Sequence, residues 1–309
     1  PNEEEISLYN ILNIEREMVS EYIDIRDLEK LKIVFKKYKP EIVFHMAAQP
    51  LVIESYIDPV YTYETNIIGT VNIFESIRAC KSVKSFINVT TDKVYHNKEW
   101  RWPYREIDEL NGKDPYSNSK SCSELITNSY KESFFYNEDI AITTVRSGNV
   151  IGGGDFGENR IIPDCIRYAI NNKYIEVRNP HSIRPYQHVF ESLNAYLIIA
   201  KDQYVSKGLS GSYNIGPDED SCIETYKLVD LFCNSWGNID WIEKNENYSY
   251  KESILLKLDC SKIKSTFNWS PKLNIKEAID WTVYWSKNYY SGQNIKLISE
   301  QQIRDFFEI

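Results

Sequence analysis

The chain has no apolar run approaching the roughly 18 residues a membrane helix needs, no C-x-x-C pair and no excess of positive charge. The first absence argues against a membrane-bound protein. The six cysteines stand apart at 80, 122, 165, 222, 233 and 260, without Cys/His clustering at zinc spacing. No metal site is therefore expected, and the thiols read as reduced, in a cytoplasm. A net charge of −9 leaves no general electrostatic footprint for nucleic acid or an anionic membrane, so neither is expected as a partner. An anionic ligand would have to be met by a few local arginines. Glycine and proline number only 12 and 11, which excludes collagen-like and low-complexity chains. At 309 residues, 42% hydrophobic and 26% charged, the chain can bury a sizeable core in one large or two smaller domains. Tyrosine is plentiful, at 23, and by itself assigns nothing.

What is present alternates. Residues 27–35 carry apolar side chains at helical spacing, with Asp27 as N-cap and Pro40 as a stop. Glu41–Met46 reads as a buried strand, and a helical stripe runs from Asn66 to Ala79 through Ile67, Val71, Phe74 and Ile77. Lys84–Val89 and Ala141–Val145 read as further strands, with a long helix over Pro115–Phe135 between them. Strands separated by helices predict βαβ units: an α/β fold with a Rossmann-like parallel sheet flanked by helices, and a smaller α/β substrate domain. The expected division is 1–150 for the first domain, which also receives 187–215, and 151–309 mainly for the second. Ligands of such folds bind at the carboxyl ends of the strands, so the residues there carry the functional reading.

Asp114-Pro115-Tyr116-Ser117-Asn118-Ser119-Lys120 is the sharpest local signal. Asp114 caps a helix, Pro115 occupies its first turn, and Tyr116 and Lys120 fall one turn apart on one face. A tyrosine becomes a base at neutral pH only if its pKa drops by about 3 units, roughly 4 kcal/mol, and a neighbouring cation can supply that. This is the only Y-x-x-x-K in the chain. Three neighbours give it context: Thr90-Thr91-Asp92-Lys93-Val94-Tyr95 and His45-Met46-Ala47-Ala48-Gln49-Pro50 after strands, and Thr65-Asn66-Ile67-Ile68-Gly69-Thr70 opening a helix.

Together with Gly148-Asn149-Val150-Ile151-Gly152-Gly153-Gly154-Asp155, these motifs resemble the extended short-chain dehydrogenase/reductase family, and within it the nucleotide-sugar 4,6-dehydratases. The resemblance runs from Ile23-Asp24-Ile25-Arg26-Asp27 to the helices around Trp269–Trp285. It implies a lyase that uses tightly bound NAD. A hydride leaves carbon 4, water is lost across carbons 5 and 6, and the hydride returns to carbon 6. By resemblance Tyr116 is the base, Lys120 holds the nicotinamide ribose and lowers the Tyr116 pKa, Thr91 bonds the 4-oxygen, and Asp92 is the acid. Lys93 replaces the Glu of the dTDP-glucose enzymes. It resembles the CDP-glucose branch, as do Ala48–Val52, Asn97–Trp100 and Arg178–His188. The resemblance further implies cofactor contacts from Asp24, Ile25, Ala47, Ala48, Gln49, Thr65, Thr90 and Val150. Substrate contacts are implied from Gln49, Asn149, Arg160, Arg178, Arg184 and His188. CDP-glucose is the expected substrate, deoxysugar biosynthesis the expected context, and a homodimer or other homo-oligomer the expected assembly.

Gly152–Gly157 also fits G-x-G-x-x-G, but Asp155 and Glu158 place negative charge where a pyrophosphate would meet the helix. This glycine run is expected at the entrance to the substrate domain. The phosphate loop is expected before Asp24, in a first βα unit of roughly 30 residues that the chain lacks, with weak NAD binding and marginal stability as consequences. The rival readings are a dTDP-glucose or GDP-mannose 4,6-dehydratase, a 4-epimerase, and a non-catalytic nucleotide-sugar-binding relative.

Overall fold

Continuous burial along short runs whose side chains alternate between two faces lets one strand feed two cores, and this organises the larger part of the molecule. The structure is a computed structural model describing residues 6–244 and 254–309. Its strands, in chain order, are β1 Ile42–His45, β2 Ser85–Val89, β3 Ala141–Ser147, β4 Asn149–Ile151, β5 Ile175–Val177, β6 Ile183–His188, β7 Ser212–Ile215, β8 Cys222–Glu224 and β9 Trp241–Glu243. The main sheet is parallel throughout, in the order β1-β2-β3-β7, with Phe44 opposite Ile87 and Val145 opposite Tyr213. Successive residues point to opposite faces. Phe86 and Ile142 join Phe74, Ile77, Leu31 and Phe35 on one face. Ile87 and Val145 join Ala195, Ile199 and Ile215 on the other. Both faces are covered, as a parallel sheet requires.

The expected helices and caps are present. Asp27 accepts from Lys30 N at the head of Leu28–Tyr38, and Lys39, in the left-handed region at φ 45°, ends it before Pro40. Pro59–Tyr63 continues through a π-helical turn, Glu64–Ile68, into Gly69–Cys80. The predicted helix over 66–79 therefore starts earlier and carries an irregularity of a kind often found at functional sites. Asp114 accepts from Ser117 N at 2.9 Å and starts Pro115–Phe134.

After β3 the chain turns through Gly148, where a Cβ would meet Pro185 at 2.6 Å; only glycine lets the backbone pass so close to β6. β4, β6 and β8 then form a second sheet, and β5 pairs with β9. Helix Val189–Val205 and β7 return the chain to the main sheet. The second core gathers Leu228, Phe232, Ile279 and Ile162, each 0–2% exposed. Each such side chain contributes about 1.5–3 kcal/mol. Among the described residues β1 pairs only with β2, and Ile42 at its start is 41% exposed.

Candidate active site

The carboxyl end of β2 and the head of helix Pro115–Phe134 build one corner of a cleft. Beyond Val89 the chain turns at Thr91, which caps the short turn Asp92–Val94 by accepting from Lys93 N at 3.4 Å. Thr91 Oγ1 donates to Asp92 Oδ1 at 3.0 Å and is also hydrogen-bonded to Tyr116. One hydroxyl thus links the phenol and the carboxyl group. Asp92 is 2% exposed, and its Oδ2 has no hydrogen-bond partner. Burial raises its pKa above the ordinary carboxylate range, against Lys93, Thr91 and Arg184, which favour the charge. A raised pKa makes this carboxyl group a better proton store than an ordinary aspartate.

Tyr116 is pushed up to about 12 by burial, opposed by the Thr91 hydrogen bond and reinforced by Asp92. Burial pulls Lys120 down to about 8, and Glu124 opposes that shift. Lys120 Nζ donates to Val89 O at 3.1 Å, tying the helix to the end of β2. The phenol sits above its ordinary value because desolvation outweighs the Thr91 and Arg160 contributions that favour the phenolate.

The cleft encloses about 430 Å³. Thr91, Asp92, Lys93 and Tyr116 line one side, and Asn149, Val150, Arg160, Arg178 and Arg184 another. Nine of the expected residues thus share one cavity. Arg184 is buried, and its Nη1 donates to Ile183 O. Arg160 pairs with Asp155 at 3.2 Å, and Arg178 lies 3.6 Å from Asp164 while donating to Asn159 Oδ1 at 3.2 Å. Arg160 and Arg178 are thus each held by a carboxylate.

Other expected contacts are not brought into this cavity. The Gln49 amide donates to Thr62 Oγ1 at 2.8 Å and accepts from Leu51 N at 2.5 Å, so it braces its own loop. His188 is buried among Phe190 and Trp281, accepts from Phe190 N and caps the following helix. Burial lowers its pKa to about 4. The Thr90 hydroxyl donates to Glu124 Oε1 at 2.5 Å. Asp24 is held by the Arg26 guanidinium at 2.7 Å, and Ile25 packs against Gly69. Ala47, Ala48 and Thr65 lie at the end of β1 and in the π turn, outside the cleft lining. Gly153 is covered by Trp285, Gly154 by Leu8, and Asp155 accepts from Gly157 N, so this turn is closed by packing and lined with negative charge.

Sequence reasoning missed the pair beneath the site. Glu124 and Arg146, each with a side chain 2% exposed, form a bidentate pair with both bonds at 2.9 Å. Thr90 and Thr144 donate to the same carboxylate, and Arg146 Nη1 reaches Tyr95 Oη at 2.8 Å. A Glu one turn after Lys120 was the available signal. His45 was also passed over; burial lowers it to about 3, and Nε2 lies 3.2 Å from Thr70 Oγ1.

An α/β chain with a parallel sheet and a Thr-Asp-Lys/Tyr-Lys corner facing an arginine-lined cleft is built for a small anionic substrate. Residues 3–282 match the model of the GDP-mannose 4,6-dehydratase family, and the chain belongs to that family. It is 41% identical to the CDP-glucose 4,6-dehydratase of Salmonella typhimurium over 97% of this chain and 85% of that protein. The fold is shared with the UDP-glucose 4-epimerase of Thermotoga maritima solved with UDP-glucose, at TM-score 0.79 and 22% identity over 89% of this chain and 86% of the other. It is shared too with the dTDP-glucose 4,6-dehydratase of Bacillus anthracis solved with NAD, at TM-score 0.75 and 21% identity over 93% and 86%.

Proposed function

We propose that this chain is a hydro-lyase that converts CDP-glucose to CDP-4-keto-6-deoxyglucose with tightly bound NAD, in deoxysugar biosynthesis in a cytoplasm. The observation that carries this reading is the 41% identity along nearly the whole chain, joined to an Asp92 that is buried, short of one hydrogen bond and raised in pKa. A simple epimerase has no use for such an acid.

The residues at the end of β1 fit a dinucleotide. Ala47 and Ala48 leave the backbone approachable, Thr65 carries a buried hydroxyl without a partner, and Lys120 offers an ammonium group. Ala47, Ala48, Thr65 and Lys120 would hold NAD, with Val150 facing it from the cleft. When bound, NAD supplies a cationic hydride acceptor that later returns the hydride.

Bringing Tyr116 from about 12 to 7 needs about 7 kcal/mol, which calls for positive charge in a site of low polarity. With that charge present, Tyr116 Oη takes the proton of the 4-hydroxyl while Thr91 donates to the same oxygen. Asp92 gives its proton to the departing 6-hydroxyl, which leaves as water. Lys93 stands beside Asp92, where its amine takes the carbon-5 proton and returns one to carbon 5 as carbon 6 is reduced. Asn149, Arg160 and Arg184 bind the diphosphate, Arg being suited by its planar, permanently charged fork.

A homo-oligomer fits the exposed apolar side chains Ile57, Val60, Ile68 and Leu125, near or on the two helices that flank the site. The test is incubation with NAD and CDP-glucose, reading the 4-keto-6-deoxy product by its absorbance in alkali. Turnover of CDP-glucose ahead of dTDP-glucose and GDP-mannose is expected. Turnover of either rival substrate alone would replace this reading.

A further inference from the structure

The cleft reaches past the groups that the proposed reaction uses. Its far wall includes Glu176, Val177, Arg178 and Asn179. β5 supplies the first two, and its alternation decides what faces where. Ile175 and Val177 are 0–1% exposed and lie in the second core, so Glu176 and, two residues on, Arg178 share the opposite face. A carboxylate and a guanidinium therefore stand side by side on the cleft.

Contacts order this wall relative to the chemistry. Arg160 is close enough to Tyr116 to act on its ionisation, and Arg184 acts on Asp92. Asn159, the neighbour of Arg160, accepts from Arg178 at 3.2 Å. Arg178 is thus joined to the Arg160 segment through Asn159, and Glu176 precedes it on the same wall of the cleft. With the hexose at Tyr116 and the diphosphate at Arg160 and Arg184, the remaining part of the ligand is the nucleobase. Charge agrees. Glu176 is paired with Lys244, and Asp164 with Arg167 and Arg178, so the charges at this end are balanced and suit an uncharged ring with hydrogen-bonding edges.

We infer that Glu176 and Arg178 read the base, and that Glu176 is the residue that selects cytosine over uracil or thymine. Cytosine offers a 4-amino donor beside its N3 and O2 acceptors, whereas uracil and thymine place a carbonyl oxygen at position 4. The Glu176 carboxylate accepts from the amino group and repels a carbonyl, while the Arg178 guanidinium donates to the acceptors. Lys244 Nζ, 2.9 Å from Glu176 Oε2, steadies the carboxylate. This inference rests on the nucleotide-sugar reading of the site and deepens it.

The test is calorimetric titration of the full chain with CDP and with UDP, for the wild type, Glu176→Gln and Glu176→Asp. Glu176→Gln keeps the shape and supplies an amide that can donate to a carbonyl. Glu176→Asp keeps the charge and withdraws it by one methylene. The wild type is expected to favour CDP by about 10- to 100-fold, the discrimination a good base-edge contact provides. Both variants are expected to reduce that ratio to within about threefold, with the same shift in kcat/KM for CDP-glucose against UDP-glucose. A wild type that prefers CDP with variants that keep the preference would overturn the role of Glu176 and leave the dehydratase reading standing. A wild type indifferent to the base would overturn it too. Binding of neither nucleotide would overturn both.

Discussion

Two buried carboxylates, one at the end of β2 and one under the site, have opposite surroundings. Asp92 and Glu124 are 2% and 3% exposed. Glu124 receives two bonds from Arg146 and one each from Thr90 and Thr144, so its charge is fully compensated. Asp92 receives Thr91 on one oxygen, and its other oxygen is without a partner. Burial alone thus does not mark a catalytic acid. The compensated carboxylate holds the long helix against β3, and the uncompensated one is left able to exchange a proton.

The largest expected effect tests that division through activity. Asp92→Asn and Tyr116→Phe should each lower kcat by about 10²- to 10⁴-fold, the range of a general acid or base. Glu124→Gln should act first on stability. If Asp92→Asn retained most of kcat, the division would fail.

Next in size is the cost of breaking the compensated pair. Arg146→Met leaves Glu124 buried and uncompensated and should cost about 3–5 kcal/mol in denaturant unfolding. The double variant Glu124→Gln/Arg146→Met should recover part of that loss. A single variant with an unchanged midpoint would show that the pair does not hold the helix.

A smaller effect sharpens the comparison with pH. Burial raises the Asp92 pKa above its ordinary 3.8, so the folded chain binds this proton more tightly than the unfolded chain. The associated stability is complete below 3.8 and is lost as pH rises through the raised value. Asp92→Asn removes that loss. Its Tm at pH 7 should exceed the wild type's, and the difference should shrink toward pH 3. A Tm gain that persists at acid pH would point to packing instead. The smallest effect is expected at the surface, where Lys296→Ala removes the exposed pair with Glu17 and should leave Tm unchanged within error.

Much of this was readable in the chain order. Asp27, Pro40 and Asp114 announced helix ends because capping is local, and the runs at 41–46, 84–89 and 141–145 announced strands, of which the first is only partly buried because its outer edge is exposed. The Thr91–Lys93 and Tyr116–Lys120 groups were legible because each lies within a few residues. Arg146 was not, since a lone arginine in a β-branched run says nothing about a glutamate 22 positions earlier. The surroundings of Gln49 and His188 were not legible either, since Thr62 and Trp281, which engage or flank them, lie 13 and 93 positions away.

The sequence by itself determined the α/β class, the caps, the strands and the residue types at their carboxyl ends, because periodicity and capping act over a few residues. Only the tertiary structure decided which side chains face the cleft, which carboxylate is compensated and where Glu176 stands. Burial and hydrogen-bond compensation depend on neighbours brought together from distant parts of the chain.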